Sequence, residues 1–69
     1  MLEVFKTNVL HTEKANELIN LLLKKFPGSR MNFDLDDCDK VLRIEGLTFC
    51  PLEVIKLITE NGYACMLME

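Results

Sequence analysis

Apolar and polar positions alternate, drift and alternate again along this chain, and the changes of period mark its elements. Leu2 to Val9 holds β-branched and aromatic residues in partial alternation, which predicts an opening strand. The period then lengthens. Ala15, Leu18, Ile19, Leu22, Leu23 and Phe26 fall at helical spacing along one face, after Thr12 as the expected cap. Glu13 in the first turn and Lys24 and Lys25 in the last suit the helix dipole, and Pro27-Gly28 stops the helix.

Period two returns at Arg30. Met31, Phe33 and Leu35 alternate with Arg30, Asn32, Asp34 and Asp36, one face apolar and one wet. After the turn around "DDCD", "KVLRIE" supplies the next strand with Leu42 and Ile44 on one face. A two-residue loop at Asp37 and Cys38 sets Phe33 opposite Leu42 and Met31 opposite Ile44. It also sets Arg30 opposite Glu45 and Asn32 opposite Arg43, so apolar and polar partners match in one register. Gly46 ends the hairpin. Pro51 suits the first position of a second helix, with Leu52, Ile55 and Ile58 on its apolar face and Val54 and Leu57 beside them. Asn61 and Gly62 close that helix, Gly62 in a left-handed cap. "ACMLM" is a last short strand.

The order βαββαβ predicts one α+β domain over residues 1–69 with a ferredoxin-like fold. Two helices lie on one face of a four-stranded antiparallel sheet, joined by right-handed crossovers.

Composition narrows the function. With 49% hydrophobic residues the chain suits a packed domain, and 69 residues make a thin core. A net charge of -3 with no basic stripe argues against nucleic acid. The longest apolar run, Leu21 to Leu23, is far short of the roughly 20 residues a membrane helix needs. "MLEVFKTNV" carries charges inside a strand pattern and does not read as a signal peptide, so the expected compartment is the cytoplasm. Three cysteines, odd in number and far apart, fit reduced thiols better than a disulfide framework.

Three stretches carry a resemblance. "LLLKKFPGS", "MNFDLDDCDKVLRIEG" and "PLEVIKLITENGYACML" together resemble the heavy-metal-associated domains of copper chaperones and metal-pumping ATPases, over nearly the whole length. In that family a Met-x-Cys-x-x-Cys loop at the first strand-to-helix turn grips Cu(I). Counting back from Pro27-Gly28 places that loop on "LHTEKA". Leu10 then takes the methionine position, Thr12 the first cysteine and Ala15 the second. Two thiolates at a helix start hold Cu(I) because the dipole lowers their pKa; a hydroxyl and a methyl group do not. The resemblance therefore implies the fold of a metal carrier without its grip.

Other residues carry weaker signals. His11 is the only histidine, and one imidazole is no metal site. The expected fold sets the first loop, the hairpin tip and the loop before the last strand at one end, which makes His11, Cys38 and Cys65 candidate ligands, with Cu(I) or Zn as the ion. Cys50, at the start of the second helix, has no histidine near it in sequence to act as base. Asp34, Asp36, Asp37 and Asp39 resemble part of a calcium loop but lack its central glycine and closing glutamate, and read as a solvated turn. No phosphate loop or nucleophile-base pair points to an enzyme, and an acylphosphatase-like hydrolase would need an arginine in the first loop. The expected function is a non-catalytic module working by protein contact, through Val9, Leu10, His11, Thr12 and Tyr63. The competing expectation is a copper or zinc carrier with non-standard ligands or a site completed by a partner. Met66 and Met68, on the sheet face or edge, suggest a homodimer through the last strand.

Overall fold

The computed structural model describes residues 1–68 and contains six elements: β1 (Leu2–Thr7), α1 (Thr12–Lys25), β2 (Arg30–Asp34), β3 (Val41–Glu45), α2 (Pro51–Glu60) and β4 (Cys65–Leu67). The four strands form one antiparallel sheet in the order β2-β3-β1-β4, compatible with a ferredoxin-like arrangement.

The sheet is placed by its central pair. β1 runs against β3 with Phe5 opposite Leu42 and Glu3 opposite Ile44. Phe5, Leu42 and Ile44 are fully buried and share one core with Ala15, Leu18 and Leu22 of α1 and Val54 and Ile58 of α2. Both helices therefore cover the same face of the sheet. Burying such side chains is worth about 1.5–3 kcal/mol each, and this cluster is the main source of stability.

The β2–β3 hairpin has the register expected from residue matching: Arg30 with Glu45, Met31 with Ile44, Asn32 with Arg43 and Phe33 with Leu42. Its connection differs. The strands stop at Asp34 and Val41, so six residues bridge them where a two-residue loop was expected. The longer loop satisfies its own polar groups. Asp39 donates its N–H to Asp37 Oδ1 and Lys40 donates its N–H to the Asp37 carbonyl. Lys40 takes a left-handed φ of 48°, held by its Nζ on the Leu35 carbonyl.

Three further expectations are corrected. β1 ends at Thr7, and Val9 leaves the strand to be buried in the core. His11, with φ -117° and ψ 136°, is the N-cap of α1 in place of Thr12, and it caps with no side-chain bond. On α2, Ile58 faces the core as expected, but Val54, four residues before it on the same row, is buried with it while Leu52 is 75% exposed, so the core face centres on the Val54–Ile58 row. Pro51 does begin α2, and Gly62 adopts a φ of 93° just past its end, a conformation that costs a residue with a Cβ. Phe49, passed over in the sequence pattern, packs edge-on against Phe26 with ring centroids 6.4 Å apart. The helices are also tied by Lys25 Nζ to Glu53 Oε2 at 3.0 Å, and the Lys25 hydrogen bond and charge hold the Glu53 carboxyl below its ordinary pKa.

Candidate functional site

Three loops gather at one end of the sheet: the β1–α1 turn, the tip of the β2–β3 hairpin and the α2–β4 loop. Thr7 organises the first two. Its N–H donates to the Asp39 carbonyl, its hydroxyl donates to the Lys40 carbonyl, and its Oγ1 accepts from the buried Val9 N–H. Asn8 joins the third, accepting the Ala64 N–H on Oδ1 at 2.8 Å.

The resemblance placed a metal loop at this end. Ala15, at the second cysteine position, is 3% exposed within the core and offers no donor atom. Thr12, at the first, is exposed, as are Leu10 and His11. Residues of this character do not fit a resident Cu(I). His11, Cys38 and Cys65 do not come together as a donor set. Among the described residues the group of acidic, thiol and imidazole side chains close enough to share an ion is Asp37, Cys38 and Asp39, with ligand atoms within 4.8 Å of one another. The turn itself explains this group. Asp37 Oδ1 already accepts an N–H, and Asp39 pairs with Lys6 Nζ at 3.4 Å. Cys65 leans toward the core, where burial pushes its thiol up to about 11, away from the thiolate a soft metal needs. Cys50 lies at the start of α2 and is exposed.

The expected contact surface is rearranged. Val9 is fully buried and drops out of it. Leu10 is 64% exposed and remains. Thr12 and Tyr63 lie on opposite flanks of α1. Thr12 lines a groove of about 540 Å³ beside β2, together with Asn16, Asp34 and Arg43. Tyr63 lines another of about 420 Å³, together with Lys14, Leu18, Leu21 and Asn61.

A second surface is built by β4. Its register against β1 pairs Phe5 with Leu67, Lys6 with Met66 and Thr7 with Cys65. Directly opposed residues share a face of the sheet, so Cys65 and Leu67 lie on the helix side and Met66 lies on the open side. Met68, whose N–H donates to the Val4 carbonyl, continues the open side. Leu2, Val4, Met68 and Met66 thus form an apolar stripe beside an outer strand, with Leu2 56%, Met66 65% and Met68 38% exposed. The sequence signal for it was the uncharged run "ACMLM".

No helix of the described residues is long and apolar enough to cross a membrane. In comparisons with family models, with curated proteins and with solved structures, nothing matches this chain.

Proposed function

We propose that this chain is a non-catalytic protein-contact module on a ferredoxin-like βαββαβ framework, a relative of heavy-metal-associated domains in which the metal grip is gone. The observation that supports it is the β4 edge. An outer strand normally carries a charge, a proline or a bulge that discourages pairing. β4 carries Cys65, Met66 and Leu67, and an exposed apolar stripe runs beside it. Main-chain groups along such an edge bind an extended strand, and alternate side chains select which one. The exposed Leu10 and His11 of the β1–α1 turn give a smaller second surface at the loop end.

The test is capture on the immobilised chain, offered its own purified copies and a cell extract in turn, with Met66→Lys as the comparison. Capture of either kind that the variant loses supports the contact module. Capture that the variant retains, or none at all, overturns this edge as its surface. Titration with Cu(I) under reducing conditions addresses the carrier: tight stoichiometric binding abolished by Cys38→Ser or His11→Ala would replace the module with it.

A further inference from the structure

We infer that the β4 edge pairs with β4 of a second copy, antiparallel about a two-fold axis at Met66, joining two sheets into one of eight strands. This rests on the contact-module reading and names its partner.

The backbone sets the register. The Ala64 N–H points to Asn8 and the Met68 N–H to Val4, both toward β1. In an antiparallel ladder alternate residues turn both polar groups the same way, so Cys65 and Leu67 turn their N–H and C=O groups outward. A two-fold at Met66 sets Cys65 of one copy opposite Leu67 of the other, twice. All of those outward groups are then matched in four hydrogen bonds. Centring the axis on Cys65 leaves the Leu67 carbonyl without a donor, because the Tyr63 N–H is already given to the Ile58 carbonyl. Centring it on Leu67 sets Cys65 opposite Glu69, outside the described residues, so that within β4 only the Leu67 groups are matched.

Side chains agree with this register. Met66 meets Met66, and Ala64 meets Met68, on the open face; Cys65 meets Leu67 on the helix face. No charged residue enters any of these pairs. The nearest cation, Lys6, sits opposite Met66 one strand inward. Its symmetry mate lies about three strand spacings away, roughly 14 Å, beyond a Debye length at ordinary salt. The two apolar stripes become continuous. A stable interface covers about 800 Å² per partner, more than a sixth of this chain's 4557 Å². A three-residue strand with its stripe covers less, which places the dimer in the weak, exchanging class.

Sedimentation equilibrium on the purified chain in reductant, up to about 1 mM, measures it directly. The expected result is a monomer–dimer equilibrium that Met66→Lys weakens at least tenfold with the far-ultraviolet circular dichroism unchanged. A chain that stays monomeric throughout overturns the inference; if it still captures a protein from extract through Met66, the contact-module reading stands without it. A dimer that ignores Met66→Lys but breaks in Arg30→Asp would move the contact to β2 and also overturn it. The register has its own readout, useful if the lysine variant does not fold. In a Cys38→Ser, Cys50→Ser background, Met66→Cys should cross-link two copies under mild oxidation, since facing residues in a non-hydrogen-bonded pair lie about 4.5 Å apart at Cα, within disulfide reach. Met68→Cys, which faces Ala64, should not. Equal cross-linking at both positions overturns the two-fold at Met66.

Discussion

β2 and β4 are both outer strands of one sheet, yet they meet their surroundings in opposite ways. β2 shows Arg30, Asn32 and Asp34 on its open side, with Asp34 3.8 Å from Arg43 of the neighbouring strand. Adding a strand there means dehydrating charge. β4 shows Met66 and carries no charge along its three residues. The two also differ in how they are held. β2 is one arm of a hairpin closed by a six-residue loop that bonds to itself and to Thr7. β4 returns from α2 to pair with a strand nearly sixty residues earlier, and two N–H bonds flank its ladder, one to Asn8 and one to Val4. The lesson is that a guarded edge and an unguarded edge can coexist on one small sheet, and that the unguarded one is where contact is expected.

The largest effect that could break this comparison comes from the residue both sides share. Phe5 pairs with Leu42 toward the hairpin and with Leu67 toward β4, and it is fully buried. Phe5→Ala should cost about 3–5 kcal/mol, comparable to the whole stability of a domain this size, so the variant should be largely unfolded. Leu67→Ala, on the β4 side of the same residue and 38% exposed, should cost about 1 kcal/mol. Urea denaturation of both variants decides. Equal losses would make β4 as integral to the core as the central strands, and the contrast between the edges would reduce to one of charge alone.

An intermediate effect separates the latches of the two sides. Thr7→Val keeps the shape and removes the hydroxyl that donates to Lys40 and accepts from the buried Val9 N–H. Leaving buried groups unpaired should cost about 1–3 kcal/mol by the shift in denaturation midpoint. Asn8→Ala removes the exposed bond to Ala64 on the β4 side and should cost at most about 1 kcal/mol, because water replaces it. The reverse order would mean that the α2–β4 loop, and not the hairpin tip, holds this end together.

How much of this was legible in the sequence follows the same divide. The α+β class, with four antiparallel strands and two helices, is visible in the changes of hydrophobic period. The hairpin register is visible because both partners are close in the chain and two kinds of side chain had to match at once. Lys40 hid the loop length: a left-handed lysine held by Leu35 and Thr7 leaves no mark in composition. Val9 was read as surface because it borders the loop aligned to the metal loop, although alternation from Phe5 and Thr7 puts it on the core side, where it is buried. The loop-end site followed from aligning positions to a metal loop, whereas helical spacing already puts Ala15 on the apolar face with Leu18 and Leu22, where it is buried. The β4 stripe was legible as residues but not as a surface, since its contiguity with Leu2 and Val4 needs the register to β1.

The smallest effect tests whether β4 is seated at all, and it reads through Cys65. A thiol is neutral when protonated, so burial disfavours the thiolate and raises the folded-state pKa from 9.0 to about 11. Between those values the folded chain holds the proton more often than the unfolded chain does. Stability from this group is therefore fully present below pH 9 and is lost as pH rises through about 11. Cys65 is only partly buried, so the loss should be a small fraction of the Phe5→Ala effect, visible as the difference between the native chain and Cys65→Ala in midpoints at about pH 8 and pH 10.5. Reactivity gives the sharper measurement. In a Cys38→Ser, Cys50→Ser background, an aromatic disulfide reagent at about pH 8 should react with Cys65 roughly tenfold more slowly in the folded chain than in denaturant, fewer thiolates being partly offset by their greater nucleophilicity. Equal rates would mean that β4 spends its time detached from β1. An outer strand that detaches so readily would present no fixed edge, and the difference between β2 and β4 would then be one of order against disorder, with no paired edge for a second strand to extend.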